Sequence, residues 1–235
     1  MLVDVNRRTF PYSHQATNMC FSASASFIAG AVLTAAGIAC VSQVRKPAHL
    51  LFAAIPLLFA VQQVCEGFVW ISLSGTDVPI WHPFAKYAFL TFAQIIWPFW
   101  IPLAFLRIEP SPWRKKVLRY FLLAGIVSSV LLTCRLIFSP SIAEIDGCHI
   151  SYEVGTTALF QVVSGMLYIA AIVVAPFLSS WKTAIILAVV NLLSLVVTQL
   201  FFEVYLVSVW CFFAAVQSIL VFFVLVEIKR SIGKR

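Results

Sequence analysis

The chain has 235 residues, of which 62% are hydrophobic and only 11% charged, and its mean hydropathy is +0.99. That composition excludes a water-soluble globular domain, which would need far more polar surface, and at about 20 residues per span it accommodates seven membrane-crossing helices with no soluble domain left over. The formal net charge of +7 would point to nucleic acid in a soluble protein, but here the basic residues collect at the ends of apolar runs, so no nucleic acid partner is expected.

The apolar runs predict spans at residues 22–44, 49–73, 84–106, 117–138, 157–178, 181–202 and 206–228. The fold class is therefore an all-α integral membrane protein, a seven-transmembrane-helix bundle in a lipid bilayer. Arg45, Lys46, Arg107, Arg114, Lys115, Lys116, Arg119 and Lys182 fall in connections on one side, as do the C-terminal Lys229, Arg230, Lys234 and Arg235. Asp77, Glu144, Asp146, Glu153 and Glu203 fall on the other. Basic loops stay in the cytoplasm, which puts the N-terminus outside, the C-terminus inside and the protein in the inner membrane. Residues 1–18 are polar, contain Pro11 and lack a membrane pattern, so they read as an N-terminal extension, with Met1 and Met19 both open as the start. Residues 19–235 form a single seven-helix domain.

The first span carries small residues at Ser22, Ser26, Gly30 and Thr34, each four apart, with Gly37 close by. Small residues let helix backbones approach, so this face packs on a neighbour. The second span holds Gln62, Gln63, Cys65 and Glu66. A charge centred in a membrane helix costs roughly 2.5–3.5 kcal/mol on insertion scales, so Glu66 must face a cavity or a partner. Met19-Cys20-Phe21-Ser22-Ala23 and Gln62-Gln63-Val64-Cys65-Glu66-Gly67-Phe68-Val69-Trp70 together resemble the signatures of an uncharacterised family of small bacterial polytopic membrane proteins. The resemblance covers the chain from Met19 onward and implies a multi-pass fold without bringing an activity.

Farther along, Pro98 and Pro102 should kink the third span, because each removes a backbone donor. The fourth ends on Cys134 and Arg135. Arg135 either snorkels to the headgroups or is the counter-ion of Glu66 or Glu203. A long outer loop from Ser139 to Thr156 contains Asp146-Gly147-Cys148-His149. Gln161 and Ser164, then Gln199 and Glu203, then Trp210 and Cys211 lie toward the outer ends of the last three spans, with Asn191 and Gln217 near their middles.

Sorted by depth, the polar and titratable residues crowd the outer half, which predicts an outward-open polar pocket. Two classes of function fit it. One is hydrolytic or redox chemistry at a metal or thiol site that uses some of Cys20, Glu66, His82, Cys148 and His149, donors suited to zinc or copper, with Glu66 or Glu203 as the catalytic proton acceptor. The other is a transporter, channel or sensor for a small solute or ion, with only Asn191 and Gln217 as stepping stones inward. Structural alternatives stand beside the first: a Cys20–Cys148 disulfide, and a buried ion pair of Glu66 with Lys86 or Arg135.

Overall fold

The computed structural model describes residues 21–233, so the N-terminal extension, Met19 and Cys20 lie outside the described residues. Among these, seven helical segments are long and apolar enough to cross a membrane: Ala23–Ser42, Pro47–Leu73, His82–Ile108, Pro112–Phe138, Ala158–Leu178, Lys182–Phe201 and Glu203–Ile232. The fourth starts earlier than hydropathy suggests. Arg114, Lys115, Lys116 and Arg119 are good helix formers even though they are not apolar.

Three of the seven are single α-helices: α1 (Ala23–Ser42), α6 (Pro112–Phe138) and α8 (Lys182–Phe201). The second is α2 (Leu50–Ala53) running into α3 (Ile55–Leu73), where Pro56 stands in the first turn. The third is α4 (His82–Leu90), a π turn at Thr91–Ile96, and α5 (Trp97–Ile108). The fifth is α7 (Ala158–Ile169), then a π turn at Ala170–Val174 and a 3-10 turn at Ala175–Leu178. The seventh opens with a 3-10 turn at Glu203–Tyr205 and divides into α9 (Leu206–Gln217) and α10 (Leu220–Ile232).

Prolines explain two of the interruptions, and neighbours compensate for them. Pro176 has no N–H to give to the Ile172 carbonyl four residues back. The Asn191 side-chain amide donates to that carbonyl instead, at 3.2 Å, and Gln217 Nε2 in turn donates to Asn191 Oδ1 at 3.0 Å. In the π turn before Pro98, the carbonyls of Ala93 and Ile95 accept from the Tyr168 hydroxyl (2.5 Å) and Ser129 Oγ (2.7 Å). Side chains of adjacent helices thus satisfy backbone groups that the helix interruptions leave without a partner in their own helix.

The small-residue face of α1 packs along α3 as expected, with Gly30 against Ala60 and Val64 and Gly37 against Leu57. Its buried register is Ser26, Gly30, Leu33, Gly37 and Cys40, and Thr34 is exposed. A strict four-residue step overruns the 3.6-residue turn, so the face passes to Leu33. Helices α5 and α6 are in tight contact at Gly125, where the Pro98 backbone leaves no room for a Cβ.

The all-α expectation fails at one place. The loop after α6 is a β-hairpin, β1 (Ser141–Asp146) paired antiparallel with β2 (His149–Val154), with Asp146 opposite His149 across a two-residue turn. Gly147 takes φ of 60° there, a conformation that turn demands and glycine adopts without strain.

The bundle therefore has two distinct ends. At the hairpin end, the backbone N–H of Phe21 donates to the Cys148 carbonyl (3.1 Å), and Lys86 Nζ donates to the Ser141 carbonyl (2.5 Å). At the basic end, buried Glu109 accepts from the Ser111 and Ser180 amides (3.0 and 2.8 Å), and Glu227 accepts from the first amides of α8, Lys182 and Thr183 (3.0 and 2.9 Å). Those α8 amides have no partner within their own helix, and a carboxylate there also suits the helix dipole.

Candidate functional site

The residues proposed as metal ligands take separate partners. Glu66 is buried in the bundle on α3, where Ser208 Oγ donates to Oε1 and Gln63 Nε2 donates to Oε2 at 3.3 Å. His82 Nδ1 is 2.7 Å from Ser72 Oγ. That hydroxyl's single proton goes to the Val69 carbonyl (2.7 Å), so the ring donates from Nδ1. His149 is stacked on Tyr205, with centroids 4.7 Å apart and planes 17° apart, and lies between Phe21 and Phe202, each 5.3 Å away. Cys148 is disulfide-bonded, so its sulfur is not a thiolate ligand, while Cys40, Cys65, Cys134 and Cys211 are free. Cys20 lies outside the described residues.

Among the described residues no group of three or more His, Cys, Asp and Glu side chains is placed to hold a metal ion. The expected zinc or copper set is therefore not gathered. Depth along a helix says nothing about which way around the bundle a residue points, and these donors share a level without sharing a direction. The ion pairs proposed for Glu66 are corrected as well. Lys86 bonds the hairpin backbone, and Arg135 Nη2 donates to Gln94 Oε1 at 2.9 Å. Glu66 has only uncharged hydrogen-bond donors among the described residues.

A polar pocket does lie at the hairpin end. It occupies about 650 Å³ between α6, α7, α8 and α9 beneath β2, within the range of about 300–1,000 Å³ usual for small-molecule sites. Arg135 and Gln94 line one side, Gln161 and Ser164 come from α7, Gln199 from the end of α8 and Glu203 from the 3-10 turn that follows it. Arg135 is half-buried, its Nε is buried without a hydrogen-bond partner, and no carboxylate among the described residues pairs with it. Glu153 and Glu203 line the same pocket and are exposed. Glu66 does not line it. Cys211 and Tyr152, which do, stand next to Glu66, so of the two alternative proton acceptors Glu203 lines the pocket and Glu66 lies in the bundle interior behind it.

The hairpin roofs this site. Tyr152 stacks on Phe89 at 4.8 Å, and the Tyr205 hydroxyl donates to Asp146 Oδ2 at 2.6 Å. Burial, reinforced by Glu66, Cys211 and Cys65, pushes the Tyr152 hydroxyl well above its ordinary value, so it stays protonated, and its oxygen is buried without a partner. Burial lowers the pKa of His149, with Asp146 opposing.

A depressed histidine favours the folded state fully above its ordinary value of 6.5, and that contribution is lost as pH falls through the lower folded value. Residues 141–154 should accordingly lose amide-exchange protection, after correction for intrinsic rates, between about pH 8 and about pH 5. His149→Phe should flatten that dependence. An equal loss of protection in His149→Phe would assign the pH response to another group.

Fold and site together define a helical bundle of the membrane-crossing type, capped at one end by a β-hairpin over a polar pocket. The chain belongs to a family of unknown function, DUF6629, whose model matches residues 19–234. No curated protein and no solved structure matches it.

Of the residues that sequence reasoning gathered at this depth, Arg135, Gln161, Gln199, Glu203 and Cys211 line the pocket, whereas Gln62, Gln63, Cys65, Glu66, His82, Lys86 and His149 do not. That reasoning missed the hairpin, whose signal was the alternation of Ser141, Ala143 and Ile145 with Ile142 and Glu144 ahead of an Asp-Gly turn. It also missed Glu109 and Glu227 as ties of the basic end.

Proposed function

We propose that the protein is a multi-pass protein of the cytoplasmic membrane that binds a small zwitterionic solute or headgroup in an outward-facing pocket, as a receptor or transporter does. The basic end faces the cytoplasm and the hairpin end faces out, in keeping with the positive-inside rule.

The observation that carries this reading is Arg135. A guanidinium taken from water is costly unless an anion meets it, yet this one has a neutral amide partner, a buried Nε without a hydrogen bond, and no paired carboxylate among the described residues. A ligand carboxylate or phosphate satisfies it, with Gln161 and Gln199 near enough in the wall to add polar contacts. Glu153 and Glu203 in the same wall favour a positive group on the same ligand, which makes a zwitterion a better match than a simple anion. The metal-hydrolase reading is not carried forward, because the described residues among its ligands are not brought together.

The test is a thermal-stability screen of the purified protein with charge-matched sets of small molecules. Zwitterions that pair an amine with a carboxylate or phosphate should stabilise it more than the matching anion or amine alone. Stabilisation by the amine alone, or by none of the set, would reject the reading.

A further inference from the structure

The pocket does not end at its polar floor. A second, narrow cavity lies deeper in the bundle and shares the wall formed by Tyr168, Trp210 and Cys211. Down the seventh span, Val207, Trp210, Ala214, Gln217 and Val221 line first one and then the other. Their spacing of three and four residues keeps them on one helix face. The fifth span does the same with Gln161, Ser164, Tyr168, Ile172 and Pro176, and the sixth with Gln199, Leu195, Asn191 and Ala188. The two cavities lie end to end along these helix faces as a furrow divided by that shared wall, polar at the hairpin end and largely apolar below, where Phe59, Ile101, Ile172, Leu187 and Val221 make most of the wall.

The furrow also opens sideways. Helix α8 packs on α9, on α10 and on the π and 3-10 turns of the fifth span, whereas α7 leans on α6 and barely touches α8. Over the hairpin half, then, α7 and α8 diverge, and residues of both line the space between them. The flanking side chains are apolar and exposed, among them Val162, Met166, Val196 and Leu200. In a bilayer such a gap faces acyl chains. The Trp210 indole N–H, in the shared wall, is buried without a hydrogen-bond partner.

Resting on the zwitterion reading above, we propose that the occupant is a phospholipid with a zwitterionic phosphate-and-amine headgroup. It reaches the pocket from the outer leaflet between α7 and α8, and one acyl chain lies in the furrow. Arg135 sits one turn from the end of α6 and Glu203 follows the end of α8, which is headgroup level. The phosphate meets Arg135 and the amine meets Glu203. From Trp210 to Val221 the furrow descends about 16 Å at about 1.5 Å per residue, roughly one leaflet of a hydrocarbon core about 30 Å thick. Its narrowness suits a single chain.

Binding to the protein purified in a non-ionic detergent tests this with two probes that share a headgroup, glycerophosphoethanolamine and a lysophosphatidylethanolamine. The lysolipid should bind at least about tenfold more tightly, because each methylene buried in the furrow adds to affinity. Ala214→Phe and Leu187→Trp, which fill the apolar part from different helices, should each bring the lysolipid down to the affinity of the headgroup and leave the headgroup's affinity unchanged. Agreement between two variants on different helices keeps the result independent of either one's folding. Equal binding of the two probes to the wild type would overturn the lipid assignment while leaving the zwitterion pocket intact. Failure of both probes to bind would overturn the pocket reading itself.

Discussion

Gly125→Ala should destabilise the bundle by about 3 kcal/mol, the upper part of the range for overpacking a filled interior. Two effects oppose each other at this position. Alanine is the better helix former by up to about 1 kcal/mol, so a glycine in the middle of α6 is locally unfavourable. The new methyl, however, would run into the Pro98 carbonyl, a backbone atom that can move only if α5 shifts, and its next neighbour is Ala171 in the π turn of the fifth span. The clash outweighs the propensity. Gly165 is the control, since a Cβ there meets nothing within 4 Å, and Gly165→Ala should be neutral or slightly stabilising. Unfolding followed in detergent by tryptophan fluorescence separates the two. Equal stability of both variants would show that α5 and α6 are not locked at this contact.

Arg135→Gln should affect binding and stability in opposite directions. Truncating one partner of a desolvated, hydrogen-bonded charge pair costs about 3 kcal/mol, so affinity for a zwitterionic ligand should fall roughly a hundredfold. The ligand-free protein should be as stable as the wild type or more so, because the substitution removes a half-buried charge that has no counter-ion among the described residues. Arg135→Lys keeps the charge but loses the planar fork of donors and should recover only part of the affinity. Were Arg135 the counter-ion of a carboxylate instead, Arg135→Gln would destabilise the ligand-free protein. A titration combined with a melting curve distinguishes these outcomes.

Span positions were legible because hydropathy over a window of about 20 residues reports what a bilayer requires, and every span but the fourth and the seventh falls within two residues of expectation at both ends. The polar outer half was legible for a related reason. Groups such as Arg135, Gln199 and Glu203 are too costly in lipid to be placed without a use. What a linear reading could not supply was direction around each helix and pairing across the chain. Glu66 and its partner Ser208 are 142 positions apart, and no local pattern joins them. The same reason separates the described members of the metal set, because His82 turns to Ser72 and His149 to Tyr205. The role of Asn191 was half visible. Its position near mid-span marked it as a polar stepping stone, but its actual use, supplying the donor that Pro176 withholds from Ile172, needs the sixth span beside the fifth. Glu109 and Glu227 escaped attention because both sit beside basic residues that dominate the orientation argument, although their carboxylates cap amides at the basic end.

The most direct test of an outward-facing pocket is labelling of a single cysteine, Gln199→Cys, in intact cells, in a background where the exposed thiol of Cys134 is replaced by alanine. Gln199 is exposed within the pocket wall, so a membrane-impermeant maleimide added outside should modify it, and a bound zwitterionic ligand should slow that reaction. Modification only after the cells are permeabilised would place the hairpin end in the cytoplasm and contradict the orientation on which the proposed function rests.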